Sequence, residues 1–514
     1  MVVQSPRADG KRGRKMENCI LAFDIGTSAV KASLVSENLK ILSEASQSYG
    51  TRHPAPQQAE QSAKDWWDSA VLAARRLFEL NADAAQKVCA IGVSGHMIGL
   101  LPVDGQGSPL GPALIHSDTR AMDQAQTVER AVGLERIYRL TGNVLSAGAP
   151  LCKALWMKEN RPEVYARTAR FLQSKDYLNF RLTGNMDSTD LSDASHAMLI
   201  DIRQKAYLTD VFAELGLDGK RFPQLHISTD VIGRLTAEAA RALGLPEGIP
   251  VAAGGGDGAC ANVGAGIART GDVYCSLGTT GWIASNMDEP YLDPQRRVFN
   301  ILSLDGARCG VFGTVESVGR SVDWAQRIYA PEGIEEMNRM AAEIAPGSEG
   351  LIFLPYLEGE RTPMFDPLAR GVFFGMRPGH DRRHFARAVF EGVSYALAGV
   401  IDILRERMPI EEMRIIGGGA KSALWKQILA DAGRVCVRDV DSSAAAATSL
   451  GAAAAAGAAV GLFDGIEGAA RSIALTSRIE PDPAAGAVYS RRMKVYQALY
   501  PCLKDAFRAA AREE

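Results

Sequence analysis

The sequence contains one short pattern twice, once near its start and once just past its midpoint. An apolar run from Cys19 to Phe23 leads into Asp24-Ile25-Gly26-Thr27-Ser28, followed by a second run that includes Lys31. Much later, Val273 to Leu277 leads into Gly278-Thr279-Thr280-Gly281 and another apolar run. Each copy predicts a strand, a tight glycine turn and a second strand. Two copies so far apart indicate one domain copied once, which predicts two similar lobes with a cleft between them.

The length and the order of predicted elements agree with two lobes. A chain of 514 residues is too long for one ordinary core. Strand-like and helix-like segments alternate on both sides of the midpoint, which is typical of the α/β class. We expect a disordered tail over residues 1–17, a first domain over residues 18–254 and a second domain over residues 255–505.

Charge and cysteine usage limit the class of partner. The formal net charge of -3 provides no broad basic field, which argues against a nucleic-acid-binding protein and favours a small-molecule partner. The 8 cysteines are widely spread without a C-x-x-C pair, which predicts a reduced, cytoplasmic protein without structural zinc. No apolar run reaches the length of about 18 residues that a membrane helix needs. A homodimer is compatible with these features.

A single carboxylate lies among glycines near the middle of the chain. The segment Gly254-Gly255-Gly256-Asp257-Gly258-Ala259 ends an apolar run. Glycine has no Cβ, so this segment allows a ligand to approach the backbone and two lobes to bend about it. We predict that Asp257 is a catalytic base at a domain junction. Taken alone, the same aspartate could instead cap a helix.

The glycine segment also allows two other classes of protein. It contains Gly-x-Gly-x-x-Ala after an apolar strand, which is the dinucleotide-binding pattern of an oxidoreductase. That pattern is normally followed about 20 residues later by a ribose-binding acid at a strand end, whereas Asp272 begins the second hairpin. A non-catalytic nucleotide-dependent sensor is the third class, and it would need the hairpins but no base.

Two further loops follow predicted strands. The segment Ser94-Gly95-His96-Met97-Ile98-Gly99 lies at a strand end, where open α/β sheets bind ligands, although His96 could also be an ordinary loop histidine. The segment Gly417-Gly418-Gly419-Ala420 follows the strand Arg414 to Ile416. We predict that it opens a helix N-terminus, which would suit a phosphate or a purine.

Together these parts suit an ATP-dependent kinase. The Walker pattern Gly-x-x-x-x-Gly-Lys-Ser/Thr does not occur in the sequence. In phosphoryl transfer the protein mainly positions groups and neutralises charge. We expect Asp24 to hold Mg²⁺ through water, and Asp257, with an ordinary low pKa, to accept a proton from a sugar hydroxyl. The residues expected to hold ATP are Gly26, Thr27, Ser28, Lys31, Gly278, Thr279, Thr280, Gly417, Gly418, Gly419 and Ala420.

The collected motifs resemble those of the FGGY family of carbohydrate kinases from about Cys19 to Cys502. The two glycine turns match the family's phosphate loops. The family's signatures are similar to Gly148–Asn160 and to the stretch from Gly371 to Glu391. The resemblance implies an α/β protein of two duplicated ribonuclease-H-like domains, shared with actin and hexokinase, around a central cleft. It also implies ATP with Mg²⁺, Asp257 as base, sugar on the N-terminal side and nucleotide on the C-terminal side.

Within the family, the resemblance is greatest to the members that phosphorylate xylulose, through Lys175–Leu178 and Leu354–Pro363. It implies D-xylulose as the first candidate substrate, with L-xylulose, ribulose and erythritol behind it. The implied sugar contacts are His96, Met97, Ile98, Asp257 and Gly258. Two of them depart from the usual pattern, because Ile98 replaces a histidine and Gly258 replaces an amide. Lost hydrogen-bonding groups change substrate discrimination, so these positions bear on which sugar is used.

Overall fold

The structure is a computed structural model that describes residues 18–441 and 444–512. It contains two lobes, each built on a seven-stranded mixed sheet. The tail predicted over residues 1–17 lies outside the described residues. Within the two described ranges, no helix is both long and apolar enough to cross a membrane.

Residues 18–256 form fifteen strands and nine α-helices. The strands are β1 (Cys19–Ile25), β2 (Ala29–Ser36), β3 (Ile41–Ser48), β4 (Glu60–Gln61), β5 (Val88–Gly95), β6 (Leu101–Val103), β7 (Ala113–Leu114), β8 (Arg170–Leu172), β9 (Thr189–Asp190), β10 (Ile200–Asp201), β11 (Ala206–Tyr207), β12 (Leu225–His226), β13 (Val231–Arg234), β14 (Pro250–Ala252) and β15 (Gly255–Gly256). The helices are α1 (Ala63–Leu80), α2 (Met122–Val132), α3 (Leu134–Thr141), α4 (Pro150–Asn160), α5 (Pro162–Arg167), α6 (Ser174–Thr183), α7 (Leu191–His196), α8 (Thr209–Glu214) and α9 (Ala237–Leu243).

The remainder of the chain begins with helix α10 (Asp257–Gly264) and forms the second sheet. Its strands are β16 (Val273–Leu277), β17 (Gly281–Met287), β18 (Phe299–Leu302), β19 (Cys309–Val315), β20 (Ile352–Leu354), β21 (Val372–Phe374), β22 (Glu412–Ile416), β23 (Cys436–Val440) and β24 (Leu475–Ile479). Its other helices are α11 (Gly319–Tyr329), α12 (Ile334–Ala342), α13 (Arg382–Arg405), α14 (Ala423–Gly433), α15 (Ala444–Ala459), α16 (Gly465–Arg471) and α17 (Pro483–Ala510).

The two sheets have the same topology. The first has the order β3-β2-β1-β5-β14-β13, and the second has the order β19-β17-β16-β22-β23-β24, with β18 added beside β19. In both, the first three strands are antiparallel, the next two join in parallel and the last is antiparallel. The predicted hairpins are β1-β2 and β16-β17, which occupy equivalent positions. The predicted α/β fold of two duplicated ribonuclease-H-like domains is therefore confirmed.

The glycines before Asp257 serve close packing. Residues Gly255 and Gly256 form β15, which pairs in parallel with Ser94 and Gly95 of β5. Gly254 has a φ of +68°, and a Cβ on it would lie 2.0 Å from the carbonyl oxygen of Val93. Only glycine fits both constraints. Pairing with β5 and contact with Val93 account for glycine in this segment, and bending of the lobes about it stays a prediction.

The alanine-rich helix α15 joins the two lobes. A Cβ on Gly451 of α15 would lie 2.0 Å from the carbonyl oxygen of Cys260 in α10. A Cβ on Gly264 would lie 1.9 Å from the carbonyl oxygen of Ala447, and one on Gly92 of β5 would lie 2.1 Å from that of Ala452. Backbones this close leave no room for larger side chains. The composition of α15 thus reflects packing between backbones rather than low complexity.

Substituting Gly451 tests this packing. We expect Gly451→Ala to destabilise the protein by about 1–3 kcal/mol or more, because the added methyl group meets backbone rather than a movable side chain. The measurement is the midpoint of thermal or guanidinium unfolding.

Gly399→Ala in α13 is the matched control, since a Cβ there meets no described atom within 4 Å. It should raise stability by about 1 kcal/mol through helix propensity. Equal effects of the two substitutions would contradict the close contact between α10 and α15.

Candidate active site

A cavity of about 510 Å³ lies between the lobes, which is within the usual range of small-molecule sites. It is lined by the ends of strands from both sheets and by α10 and α15. Among its lining residues are seven of those predicted from the sequence: Thr27, His96, Met97, Ile98, Asp257, Gly258 and Thr280. The structure thus places both glycine turns, the predicted base and the His96 loop around one space.

Asp257 is the first residue of α10, and Gly256 occupies the N-cap position. Its Oδ1 accepts a hydrogen bond of 2.8 Å from the backbone N–H of Gly258. Burial, together with the nearby carboxylate of Asp24, raises the pKa of Asp257 to about 7. The expectation of an ordinary low pKa is therefore wrong, because two carboxylates are held near each other away from water.

Asp24 lies at the end of β1, next to the first glycine turn. Its Oδ2 accepts a hydrogen bond of 2.6 Å from Oγ1 of Thr448 in α15. Burial raises the pKa of Asp24, while the Thr448 hydroxyl and the charge of Lys31 oppose that shift. Lys31 lies opposite Asp24 in the register between β1 and β2. The carboxylate of Asp24 is therefore held in place and would be stabilised by a cation.

The two predicted phosphate turns are tied by main-chain hydrogen bonds. In the first, the N–H of Gly26 donates to the carbonyl of Ala29 at 3.0 Å. In the second, the carbonyl of Gly278 accepts from the N–H of Gly319 at 2.8 Å, and that of Thr279 accepts from Val318 at 3.1 Å. The second turn is thereby fixed against the start of α11. Thr27 and Thr280, one from each turn, line the cavity.

The Gly417–Ala420 segment leads from β22 into the N-terminus of α14, as predicted, through one short turn. Residues Gly418–Lys421 form a short 3₁₀ helix, and α14 begins only at Ala423, where the Oγ of Ser422 accepts the N–H of Trp425 at 3.1 Å. Gly417 has a φ of +109°, and a Cβ on it would lie 2.5 Å from the carbonyl oxygen of Leu277. The segment thus packs against β16. Its contact with adenosine stays a prediction.

Three histidines line the cavity, and the sequence analysis identified only His96. The others are His116 and His196. Burial lowers the pKa of His96 to about 3, aided by the neighbouring His116, and lowers the pKa of His196 to about 4. Burial also lowers the pKa of His116. All three imidazoles are therefore neutral near pH 7, and each offers one donor and one acceptor.

Both ring nitrogens of His96 are buried without a hydrogen-bond partner among the described residues. The His96 ring is buried with its centroid 5.5 Å from that of Trp66 and 6.2 Å from that of His116. Nδ1 of His196 likewise has no hydrogen-bond partner in the part of the chain that the structure describes. Buried polar atoms are normally paired, so these unpaired atoms indicate a site that a polar ligand completes. His116 comes two residues after the end of β7, and His96 comes directly after the end of β5. The rule that ligands bind at strand ends could therefore have identified His116 as well.

Lys153 is a second residue whose role the sequence analysis missed, although it lies in the Gly148–Asn160 signature. Its Nζ donates to the carbonyl oxygens of Ile98 at 2.9 Å and Ile115 at 2.7 Å. Burial lowers the pKa of Lys153 to about 7. Lys153 thus holds the loop of Ile98 beside the segment that carries His116. Ile98 itself has a φ of +54°, which is unfavourable for a β-branched side chain.

The lining of the cavity combines few charged side chains with many apolar ones. Arg361 is the one arginine or lysine among its described lining residues, and its Nε contacts Oε2 of Glu316 at 2.7 Å. The apolar lining includes Ile301 and Phe299, and the ring of Phe299 lies 5.1 Å from that of His196. A Cβ on Gly258 would lie 3.2 Å from Cδ1 of Ile301, so the residue beside the base borders this apolar lining.

The topology is wrong for the dinucleotide alternative. After Gly254–Ala259 and α10 the chain crosses to β16, which belongs to the other sheet. A dinucleotide-binding unit requires the helix to return to a parallel strand of the same sheet. The helix-cap alternative for Asp257 also fails in its simple form, because Gly256 occupies the cap position.

Comparisons with known proteins agree with this geometry. Profiles of the N-terminal and C-terminal domains of the FGGY family of carbohydrate kinases match residues 19–264 and 273–460. The chain is 34% identical over 491 residues to the xylulose kinase of Bacillus subtilis (strain 168), covering 95% of this chain and 97% of that protein.

Two solved structures are similar over nearly the whole chain. A xylulose kinase from Rhodospirillum rubrum has a TM-score of 0.87 and 29% identity, covering 96% of this chain and 100% of that chain. A gluconate kinase from Lactobacillus acidophilus has a TM-score of 0.89 and 26% identity, covering 96% of this chain and 99% of that chain. With both family profiles matched across the two lobes, the chain belongs to the FGGY family of carbohydrate kinases.

Proposed function

We propose that the protein transfers the γ-phosphoryl group of ATP to a terminal hydroxyl of a neutral ketopentose, with D-xylulose as the first candidate. The observation that carries this proposal is the position of Asp257, whose carboxylate lines a cavity that also contains the two threonine turns and three neutral histidines. The xylulose kinase from Bacillus subtilis (strain 168), at 34% identity, supports the choice of sugar.

The charges of the cavity favour a neutral sugar over a sugar acid such as gluconate. A carboxylate substrate would need an available cation, since a buried charge without a partner is costly. Arg361 already meets Glu316 at 2.7 Å, and Lys153 donates to two carbonyl oxygens. Neutral imidazoles instead match hydroxyl groups, which both donate and accept hydrogen bonds. L-xylulose, ribulose and erythritol satisfy the same condition and are the alternatives to D-xylulose.

Asp257 is proposed to act as the general base. The attacking hydroxyl oxygen forms a bond to the γ-phosphorus as the bond to the ADP oxygen breaks, and the hydroxyl proton passes to Asp257. Because Oδ1 already accepts the N–H of Gly258, Oδ2 is the atom left for the proton. A pKa of about 7 suits a base that works near neutral pH. The N-terminal half would then hold the sugar and the residues after 254 the nucleotide.

The residues around Asp24 fit a magnesium ion. Mg²⁺ prefers oxygen ligands, retains water and is commonly held by one or two carboxylates together with substrate phosphates. Asp24 supplies such a carboxylate, and no group of three or more His, Cys, Asp or Glu side chains within the described residues forms a dedicated metal cage. When bound, Mg²⁺ would neutralise charge on the phosphates. Asp24 would hold the ion through water beside the turns of Thr27 and Thr280.

An ADP-release assay over a panel of substrates tests the proposed reaction. We expect turnover with D-xylulose or another neutral ketopentose, and kcat/KM at least about tenfold lower with gluconate, because its carboxylate would lack a partner. Asp257→Asn should lower kcat by about 10²- to 10⁴-fold while ATP binding, measured by calorimetry, is retained.

Asp288→Asn is the control for Asp257→Asn, because Asp288 is exposed and bonds Thr270 away from the cavity. It should leave kcat unchanged. ATP binding without turnover of any sugar would favour the nucleotide-dependent sensor, and full activity of Asp257→Asn would remove Asp257 from the mechanism.

The raised pKa of Asp257 predicts a pH dependence. The base must be ionised, so kcat/KM should be constant above the pKa of about 7 and fall roughly tenfold per pH unit below it. Asp24→Asn removes a negative charge that raises this pKa, so it should move the inflection to lower pH even where it also reduces the rate. The measurement is kcat/KM for MgATP at saturating sugar, which reports the enzyme before Mg²⁺ reaches Asp24, and an inflection that Asp24→Asn leaves in place would contradict this origin.

Ile98 is predicted to limit activity towards D-xylulose. Ile98→His restores the residue usual in the xylulose-phosphorylating members and places a side chain that tolerates a left-handed backbone at a φ of +54°. We expect roughly tenfold higher kcat/KM for D-xylulose, through an added hydrogen bond. The thermal midpoint should also rise, since such strain costs about 1–3 kcal/mol.

Ile98→Gly is the matched control, because it relieves the backbone strain without adding a polar group. It should raise the midpoint but not the kcat/KM for D-xylulose. If Ile98→His improved stability alone, position 98 would have no part in sugar recognition.

A further inference from the structure

A second cavity, of about 360 Å³, lies in the C-terminal lobe between α13, α17 and the segment from Tyr356 to Met364. We call it the tyrosine cavity, because Tyr356, Tyr395, Tyr496 and Tyr500 line it. Its described lining residues include none of those that line the active-site cavity. Its volume is within the range of small-molecule sites, and the proposed reaction gives it no role.

Glu360 supplies an incompletely bonded carboxylate to this cavity. Its side chain is only 4% exposed, and its Oε1 accepts the backbone N–H groups of Glu316 and Arg361, each at 2.8 Å. Its Oε2 has no hydrogen-bond partner within residues 18–441 and 444–512. Burial raises the pKa of Glu360 to about 8, although the two backbone N–H groups and the charge of Arg361 oppose that shift. Such an atom is a place where a ligand donor would be stabilised.

The other carboxylates that line the tyrosine cavity already meet arginines. Oε2 of Glu406 contacts Nη2 of Arg297 at 2.8 Å. Oδ1 of Asp402 contacts Nη2 of Arg434 at 2.5 Å. A positively charged ligand would therefore be directed to Glu360.

The rings of the cavity suit an organic cation. The hydroxyls of Tyr356 and Tyr496 bond each other at 3.1 Å, and that of Tyr500 donates to Oδ2 of Asp366 at 2.7 Å. With these three hydroxyls engaged, Tyr356, Tyr496 and Tyr500 offer the cavity mainly their rings. The Tyr395 hydroxyl has no partner among the described residues and is a second polar atom that a ligand could bond. The Tyr395 and Tyr496 centroids lie 5.6 Å apart. Aromatic rings attract ammonium groups through their quadrupoles, whereas a metal ion would need several oxygen ligands.

We propose that the tyrosine cavity binds a small aliphatic amine, whose ammonium group donates to Oε2 of Glu360 and lies among the tyrosine rings. The ligand class follows from one open carboxylate oxygen in an aromatic cavity whose other acids are paired. The bound amine would also be separated from the active-site cavity only by the segment that carries Glu360 and Arg361. Arg361 lines the active-site cavity, while its backbone N–H is held by the same carboxylate.

The test is calorimetric titration of the full chain at a pH of about 9, where Glu360 is ionised and an aliphatic amine is still protonated. The titrants are 1,4-diaminobutane and, separately, butane-1,4-diol, a neutral molecule of similar shape. We expect the diamine to bind and the diol not to bind. Glu360→Gln should weaken diamine binding by roughly 10- to 100-fold, because it keeps the shape but removes the charge. Glu358→Gln is the matched control, since Glu358 lies on the same segment, is half exposed and pairs with Arg320; it should bind the diamine as the unchanged protein does.

A second variant fills the cavity without changing Glu360. Gly399 lies in α13 on the cavity wall, and a Cβ there meets no described atom within 4 Å. Gly399→Leu should therefore fold, with improved helix propensity, and abolish diamine binding. The proposal would be overturned by equal binding of diamine and diol, by absence of diamine binding, or by undiminished binding in Glu360→Gln or Gly399→Leu.

Discussion

The contact between the backbones of α10, α15 and β5 is the constraint on which the rest of the structure depends. Gly451 lies against Cys260, and Gly92 lies against Ala452, with no space for a Cβ at either glycine. Because α15 belongs to the C-terminal half and β5 to the first sheet, this contact sets how the two duplicated units meet. It also places Asp257, at the start of α10, and Thr448, on α15, where Thr448 can bond Asp24. Packing of the smallest side chains thus determines the position of the most reactive ones.

The same packing keeps water from the carboxylates and explains the electrostatics of the site. Asp24 and Asp257 are both partly buried, and desolvation raises the pKa of each, so each would be more stable beside a cation or a proton. Burial also favours the neutral form of the histidines, but in their case it does so by lowering the pKa. The cleft is therefore arranged so that cations are favoured beside Asp24 and Asp257, and hydroxyl groups beside the histidines. These preferences exist before any substrate binds, so binding need not create them.

The sequence predicted the parts of the fold and site that depend on local pattern. The hairpins at Gly26 and Gly278, their duplication, and Asp257 in the cavity could be predicted, because tight turns and glycine runs leave local signals. The pKa of Asp257 could not, since it depends on Asp24, which is distant in the sequence. Arg361 and His196 reach the cavity only through the tertiary fold. The turn from Gly417 into α14 could be predicted, whereas its packing against Leu277 of the neighbouring strand could not, because that contact exists only in the folded sheet.

The segment Glu360-Arg361-Thr362 contributes residues to both the active-site cavity and the tyrosine cavity. Arg361 faces the active-site cavity, whereas Glu360 and Thr362 line the tyrosine cavity. The backbone of Arg361 is thus held by Glu360, which does not line the active-site cavity. Substitutions in the tyrosine cavity would therefore change the position of Arg361, and with it substrate preference, without changing any residue that lines the active-site cavity. Differences in substrate preference among proteins of this fold can therefore arise from residues outside the active-site cavity.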